Sequence, residues 1–317
     1  MKRIVITGAT GTIGMALINK CIEQGIEAVA LVNPDSTRID RIPNDPKVKL
    51  IRCGLTDYDV SDGKSLGLAS DTEDGVYADA LIHLAWRGTF GDDRNDRNLQ
   101  DDNERYACSA ARLAGRLGCK AFVGAGSQAE YGRVEGVLKA DTACEPENEY
   151  GRAKYRTSKS TKNMCDELGI RHVWTRILSI YGPYDGEKTM IMSLIRQLLS
   201  GRKPSLTKGE QIWDYLYAED AAMAMLMLAD KGKNGGIYPI GSGIGRPLRE
   251  YIEIIRDQIN PDLLLGFGEV PYSEKQVMHL CADITDLTRD TGFTPAIDFE
   301  EGARRTIEWC RKHPGTV

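Results

Sequence analysis

The strongest constraint on the fold is a glycine-rich turn that follows the first apolar run of the chain. Residues 4–6 are Ile-Val-Ile, Gly8, Gly11 and Gly14 follow at three-residue spacing, and an apolar helical pattern covers residues 13–22. This order predicts a strand, a tight turn and a helix N-terminus, where unpaired N–H groups and the positive helix end favour an anion such as a pyrophosphate. Gly8 permits the sharp turn, Gly11 permits close approach of the ligand, and Gly14 permits close packing of the helix on the strand.

Strand-like and helix-like segments alternate through residues 1–180. After the first unit, the predicted strands are residues 28–32, 48–52, 80–84, 121–125 and 172–178, and the two longest predicted helices are residues 95–117 and 150–168. Such alternation predicts a parallel sheet covered by helices on both faces, and right-handed crossovers make it doubly wound. The predicted fold class is therefore α/β, with a Rossmann-like sheet.

The C-terminal part of the chain is more mixed, with predicted strands at residues 213–217 and 237–241 between predicted helices. We predict a dinucleotide-binding domain at residues 1–178 and a smaller, mixed substrate-binding lobe at residues 179–317. Segments near residues 211–250 are expected to return to the first domain, so that the two units are partly interleaved.

Composition and charge argue against several classes of partner. The net charge is −5, and the densest charge cluster, residues 92–105, mixes signs as a solvated helix face does, so we expect no nucleic-acid partner. No apolar stretch approaches the roughly 18 residues of a membrane span. The eight cysteines contain no C-x-x-C pair, which predicts reduced thiols and no metal site. Because the first predicted strand leaves no room for a signal peptide, we expect a cytoplasmic protein without a membrane partner.

Three polar residues further along the chain fit the chemistry of a carbinol or ketone. Ser127 follows the strand predicted at residues 121–125, at the end where doubly wound folds bind ligands. Tyr150 and Lys154 stand four residues apart, on one face of a predicted helix. Hydride exchange between a carbinol and a nicotinamide also moves a proton on the oxygen. A lysine ammonium lowers the pKa of a nearby tyrosine from about 10, and the serine holds the same oxygen.

These blocks resemble the extended short-chain dehydrogenase/reductase family, in its nucleotide-sugar epimerase/dehydratase group. The segments that carry the resemblance, besides the glycine turn and the trio, are His83-Leu-Ala-Trp86, residues 176–183 and residues 211–220. The resemblance covers essentially the whole chain. It implies an NAD(P)-dependent oxidoreductase that acts on a carbinol or ketone carbon of a nucleoside-diphosphate sugar. It also implies a homodimer that packs through the two long helices.

The resemblance implies a role for three sets of residues. The catalytic set is Ser127, Tyr150 and Lys154. The cofactor-binding set is Gly8, Thr10, Gly11, Thr12, Ile13, Gly14, Asn33, Ser36, Arg38, Leu55, Leu84, Ala85, Tyr150 and Lys154. The substrate-binding set is Trp86, Ser127, Gln128, Ser179 and Trp213.

Several positions depart from the family pattern. Gln128 and Ala129 stand where the family's dehydratases carry an Asp-Glu pair, which disfavours a dehydratase. Ser179 stands where relatives carry an asparagine, and Trp213 where they carry an arginine that contacts diphosphate. Trp213 either stacks on a nucleotide base or packs in the protein.

The cofactor prediction rests on the loop after the second strand. Asn33 stands where an acidic residue usually holds the ribose 2′-OH of NAD, and Ser36 and Arg38 suit a 2′-phosphate. Asp35 keeps NAD open, and the sequence favours NADP over NAD by a small margin. NADPH favours a 4-keto-sugar reductase, whereas the family more often contains epimerases, and both stay open. The alternatives are a reductase of a non-nucleotide ketone or alcohol, and a catalytically silent dinucleotide sensor.

A second Y-x-x-x-K pair, Tyr155 and Lys159, follows Tyr150 and Lys154 on the same predicted helix. Five residues along a helix turn a side chain by about 500°, so this second pair points roughly 140° away from the first. We expect Tyr150→Phe to lower turnover by orders of magnitude while cofactor binding is kept, because the proton carrier is lost. Steady-state kinetics should show no comparable loss for Tyr155→Phe. An equal loss would contradict the choice of Tyr150, whereas a silent sensor would show no turnover in the wild type and unchanged cofactor binding in both variants.

Overall fold

The computed structural model describes residues 1–70 and 75–314. Its strands are β1 (Arg3–Thr7), β2 (Glu27–Val32), β3 (Val48–Arg52), β4 (Ala80–His83), β5 (Ala121–Ser127), β6 (Arg171–Ile177), β7 (Ser179–Tyr181), β8 (Ser205–Leu206), β9 (Ile212–Trp213), β10 (Tyr215–Tyr217), β11 (Gly236–Ile240), β12 (Arg246–Pro247), β13 (Gly266–Phe267) and β14 (His279–Leu280). Its α-helices are α1 (Thr12–Glu23), α2 (Arg97–Arg116), α3 (Glu149–Glu167), α4 (Met190–Leu199), α5 (Ala218–Lys231), α6 (Leu248–Ile259), α7 (Thr285–Thr291) and α8 (Phe299–Lys312). Short 3-10 helices cover Ile39–Arg41, Leu55–Asp57, Gly91–Asn95 and Gln128–Glu130.

The centre of the fold is a seven-stranded parallel sheet with the order β11-β6-β5-β4-β1-β2-β3. Strands β2 and β3 are added on one side of β1, and the later strands β4, β5, β6 and β11 are added on its other side. This arrangement confirms the predicted doubly wound parallel sheet. The carboxyl ends of β1 and β4 therefore lie side by side, where folds of this kind bind their ligands.

Both faces of the sheet are buried, and the side-chain alternation of β1 shows how. Ile4 and Ile6 pack with α1 and α5 on one face, whereas Val5 packs with residues of α2 on the other. All three side chains are fully buried. Continuous apolar strands of this kind are typical of parallel sheets with helices on both sides. The buried faces hold the sheet rigid beneath the loops at its carboxyl edge.

After β10 the chain returns to the central sheet. Helix α5 packs against α1, and β11 pairs in parallel with β6, with Ile240 beside Ile177. Another apolar cluster forms between α4, α6 and α8. The division at residue 178 stays a prediction, and residues 315–317 of the predicted lobe lie outside the described residues.

The strand predicted at residues 213–217 is in fact two strands in different sheets. Strand β9 pairs with β12 and β14, whereas β10 pairs with β7. The fully buried Asp214 separates them, and its carboxylate accepts hydrogen bonds from the backbone N–H groups of Ser242, Gly243 and Ala282. A carboxylate with these partners fixes the local backbone, so the extended run cannot continue in one sheet. Throughout the described ranges, no helix is both long and apolar enough to cross a membrane.

Candidate active site

The glycine-rich turn brings β1, α1 and the segment after β4 into close contact. Gly8 has φ +68°, and a Cβ added there would lie 2.7 Å from the backbone nitrogen of Ala85. A Cβ at Gly14 would lie 2.5 Å from the carbonyl oxygen of Gly8. Gly11 precedes α1 without a side-chain cap, and the first turn of α1 has no acidic residue. This N-terminus thus offers its backbone N–H groups and positive helix end to an anion.

Two adjoining cavities open at the carboxyl edge of the sheet. The larger has a volume of about 500 Å³ and is bounded by the glycine turn and the loop after β2. The smaller has a volume of about 320 Å³ and contains Ser127, Tyr150 and Lys154. Gly8, Gly11, Leu84, Trp86 and Thr89 line both.

Every residue of the predicted cofactor-binding set lines one of these cavities. The larger cavity is lined by Gly8, Thr10, Gly11, Asn33, Ser36, Arg38, Leu55, Leu84 and Ala85. The smaller is lined by Thr12, Ile13, Gly14, Tyr150 and Lys154, and again by Gly8, Gly11 and Leu84. The larger cavity is also lined by Tyr58 and Arg87, which the sequence analysis did not single out. The residues present therefore provide an elongated cleft with a helix N-terminus at its middle, which fits a dinucleotide.

Ser127 is held at the end of β5 by a buried carboxylate. Glu130 is fully buried, and its carboxylate accepts hydrogen bonds from the Ser127 backbone N–H at 2.8 Å and from the Trp174 indole at 3.0 Å. Its other oxygen accepts a hydrogen bond from the Arg176 guanidinium at 3.0 Å. The Glu130 carboxylate is thus occupied by contacts within the protein. The Ser127 hydroxyl accepts a hydrogen bond from the Ala129 N–H at 3.2 Å.

Lys154 is a buried cation beside Tyr150. Its Nζ donates a hydrogen bond to the Ala125 carbonyl at 2.6 Å and lies 3.5 Å from the ring centroid of Trp86. The distance from Nζ to the Tyr150 ring centroid is 5.7 Å. Burial lowers the pKa of Lys154 to about 7, an effect that the charge of Glu130 partly offsets. The lysine therefore carries a proton that it can lose near neutral pH.

The phenol of Tyr150 is shielded from solvent and faces charges of both signs. Burial raises its pKa, whereas a hydrogen bond with Ser127 and the charge of Arg94 lower it. The Cζ atom of Arg94 lies 4.4 Å from the Tyr150 ring centroid. Arg94 belongs to the mixed-sign cluster that we expected to be a solvated helix face, but its half-buried side chain packs on the Tyr150 ring.

The structure separates the two Y-x-x-x-K pairs, as their helical spacing predicts. Tyr155 and Lys159 line another cavity of about 360 Å³, between α3, β6 and residues 141–144. The Lys159 Nζ lies 4.0 Å from the Tyr155 ring centroid. Neither residue lines the cavities beside the glycine turn.

The predicted substrate-binding residues occupy two different places. Trp86 lies where the two cavities meet, whereas Gln128, Ser179 and Trp213 line neither of them. The Trp213 indole donates a hydrogen bond to the Ser179 hydroxyl at 2.8 Å, and its ring packs against two apolar clusters. The structure thus shows the packing alternative for Trp213, and substrate contact by these residues stays a prediction. Within the described part of the chain, no group of three or more His, Cys, Asp or Glu side chains is arranged to hold a metal ion.

Comparison with known proteins identifies a family to which the sequence is similar. The sequence pattern of the NAD dependent epimerase/dehydratase family matches residues 4–241. The chain is 24% identical to an ADP-L-glycero-D-manno-heptose-6-epimerase of Pseudomonas paraeruginosa, over 98% of this chain and 99% of the relative. It is also 24% identical to a dTDP-glucose 4,6-dehydratase of Streptomyces griseus, over 98% and 94% of the two chains.

Solved structures show the same fold. A UDP-N-acetylglucosamine 4-epimerase from Methanobrevibacter ruminantium, in complex with UDP-N-acetylmuramic acid, superimposes with a TM-score of 0.85 at 23% identity and covers 98% of both chains. A dTDP-glucose 4,6-dehydratase from Bacillus anthracis, in complex with NAD, gives a TM-score of 0.81 at 17% identity, over 99% of this chain and 97% of that one.

The burial of the charged Lys154 side chain predicts that this residue lowers the free energy of unfolding. Because burial lowers the pKa of Lys154 to about 7, its ammonium group is charged in the folded state below pH 7, and this buried charge lowers the free energy of unfolding. The destabilisation disappears as the pH rises toward about 10.5, the pKa of the side chain in the unfolded state. We therefore expect Lys154→Met to be more stable than the wild type at pH 6, with a smaller advantage at pH 9. Urea unfolding at both pH values measures this difference. A Lys154→Met variant that is less stable at pH 6 would contradict the assignment of a costly buried charge.

Proposed function

The chain belongs to the NAD-dependent epimerase/dehydratase family, and on this premise we propose that it transfers a hydride to or from a carbinol or ketone carbon of a nucleotide-activated sugar. The observation that carries the proposal is that Ser127, Tyr150 and Lys154 line one cavity together with the first turn of α1. A dinucleotide sensor needs no such group of proton-handling side chains beside its cofactor. We therefore favour an enzyme over a silent binding protein.

The roles of the three side chains follow from their chemistry. The Tyr150 hydroxyl gives a proton to the substrate oxygen in reduction, and the Tyr150 phenolate accepts that proton in oxidation. The Ser127 hydroxyl holds and polarises the same oxygen. Lys154, with a pKa near 7, exchanges a proton close to physiological pH and favours the ionised tyrosine when charged. The nicotinamide, when bound, supplies or accepts the hydride.

The residues around the larger cavity would hold the rest of the cofactor. The glycine turn and the first turn of α1 suit the pyrophosphate. Ser36 and Arg38 line the far end, and Asn33, in place of an acidic residue, accepts a hydrogen bond from the Asp35 N–H at 3.1 Å. Arg41 lies nearby, and its pKa is lowered by burial and then by the charge of Arg38. Two neighbouring cations and the absence of a carboxylate at position 33 support NADP over NAD.

An NADP preference favours net reduction of a 4-keto sugar over epimerisation. A reductase exchanges its oxidised cofactor in every turnover, whereas an epimerase returns the hydride and keeps its NAD. Trp213 stands in place of the arginine that contacts the diphosphate in relatives, and its indole packs against Ser179. Any ionic contact with the diphosphate must therefore come from a cation elsewhere in the chain.

We also propose a cytoplasmic homodimer. Helices α2 and α3 lie side by side, and Arg156 of α3 pairs with Asp101 and Glu104 of α2. Both helices keep exposed polar positions on their outer side, which a second copy would cover in a four-helix bundle. The eight cysteines are free thiols, which suits a reducing compartment. Light scattering at micromolar concentration should give the mass of a dimer, and a monomer would overturn this part of the proposal.

The identity of the cofactor is the decisive test of the proposed reaction. We would denature the purified protein, identify any released nucleotide by mass spectrometry, and measure NADPH and NADH binding to the native protein by calorimetry. We expect no retained nucleotide and about 10- to 100-fold tighter binding of NADPH, because Arg38 gains a charge-assisted contact with the 2′-phosphate. Arg38→Gln should weaken NADPH binding and leave NADH binding nearly unchanged. Stoichiometric NAD(H) in the purified protein would instead contradict the reductase and indicate an epimerase with Asp35 at the ribose.

A further inference from the structure

The segment between β4 and α2 places a cation on the face of the proposed catalytic tyrosine. Arg94 belongs to the 3-10 helix Gly91–Asn95, and its Cζ atom lies 4.4 Å from the Tyr150 ring centroid. Trp86 contacts the same ring edge-on, with centroids 6.1 Å apart and planes at 87°. Tyr150 is therefore enclosed by one charged and one aromatic side chain from the same segment.

Several hydrogen bonds hold this segment in place. The buried amide of Gln100 donates to the carbonyl oxygens of Gly88 and Asp93, each at 2.9 Å, and accepts from the Trp86 indole at 2.8 Å. The Arg94 guanidinium itself donates to the Thr89 carbonyl at 3.1 Å. The position of Arg94 is thus built into the loop, because Gln100 of α2 binds one carbonyl group before the 3-10 helix and one within it.

The charge of Arg94 is not neutralised within the described residues, where no carboxylate forms an ion pair with it. Lys154, the other cation near Tyr150, is turned toward the Ala125 carbonyl and the Trp86 ring. The buried Glu130 is the nearby anion, and it is already paired with Arg176. Arg94 is therefore the cation in contact with the Tyr150 ring, with Lys154 farther away at 5.7 Å from the ring centroid.

We propose that Arg94 is a positioning residue for proton transfer, one that holds the ring of Tyr150 and favours its ionised form. This inference rests on the proposed function in one respect, namely that Tyr150 exchanges the proton with the substrate oxygen. A cation over an aromatic face is attracted to the ring, and the attraction is stronger when the ring carries the negative charge of a phenolate. An arginine stays charged throughout the working pH range, so its effect does not fade where Lys154 loses its proton.

The direct test is the ionisation of Tyr150 itself. Tyrosinate absorbance is titrated in the wild type and in Tyr150→Phe, and the difference gives the curve of this one phenol. The same pair is then compared in an Arg94→Gln background. We expect the midpoint to lie at higher pH in the Arg94→Gln background and to return toward the wild-type value with Arg94→Lys. An unchanged midpoint in Arg94→Gln would overturn the inference.

Kinetics in the direction of carbinol oxidation provide the second readout, with UDP-glucose and NADP as the first probes. Arg94→Gln should lower kcat/KM roughly 5- to 10-fold at pH 7, and the loss should shrink at high pH, where the phenol ionises without help. The matched control is Arg97→Gln, since the Arg97 side chain is 78% exposed and pairs only with the exposed Asp101 among the described residues. A loss that is equal at all pH values would indicate a merely structural role and contradict the inference.

The two readouts separate this inference from the proposed function. If the absorbance midpoint shifts but no sugar nucleotide is turned over by the wild type, the proposed reaction fails and the role of Arg94 stands. If turnover is found and neither the midpoint nor the pH profile responds to Arg94→Gln, the reaction stands and the role of Arg94 fails.

Discussion

The position of Ser127 depends on a single buried carboxylate. Glu130 joins the end of β5 to Trp174 and Arg176 of β6, and so fixes the edge where the serine leaves the sheet. The pair of Glu130 and Arg176 is almost completely removed from water, with side-chain exposures of 0% and 3%. Breaking such a pair typically costs about 3–5 kcal/mol, because the remaining charge stays buried without a partner. The geometry of the proposed catalytic site is thus coupled to the stability of the central sheet.

The parts of the site that the sequence reveals are those that depend on local geometry. Gly8, Gly11 and Gly14 are recognisable because a strand–turn–helix unit requires them at fixed spacing, and Tyr150 and Lys154 because four residues span one helical turn. The helical angle between Tyr150 and Tyr155 predicts that the two pairs line different cavities, but by itself it does not say which pair lies beside the glycine turn. Short elements such as β7 and α7 escaped prediction, because three and seven residues give too little periodicity.

The parts that the sequence did not reveal are set by distant contacts. Arg94 reaches Tyr150 because Gln100, on the next helix, binds the carbonyl groups of the intervening loop. No local pattern distinguishes it from its charged neighbours Asp92 and Arg97. Trp213 and Ser179 bind each other across two short strands of different sheets, a pairing that their separation in the sequence conceals. Side chains whose place depends on tertiary hydrogen bonds therefore need the structure.

The return of α5 and β11 to the central sheet has a consequence for biosynthesis. Strand β6 has β5 on one side and β11 on the other, so until residue 240 has left the ribosome its outer edge is unpaired. Helix α1, complete by residue 23, has its apolar side uncovered until α5 is complete at residue 231. The nascent chain must therefore carry an open strand edge and an uncovered helix while most of the C-terminal lobe is still being made, and these are the surfaces that recruit chaperones or aggregate.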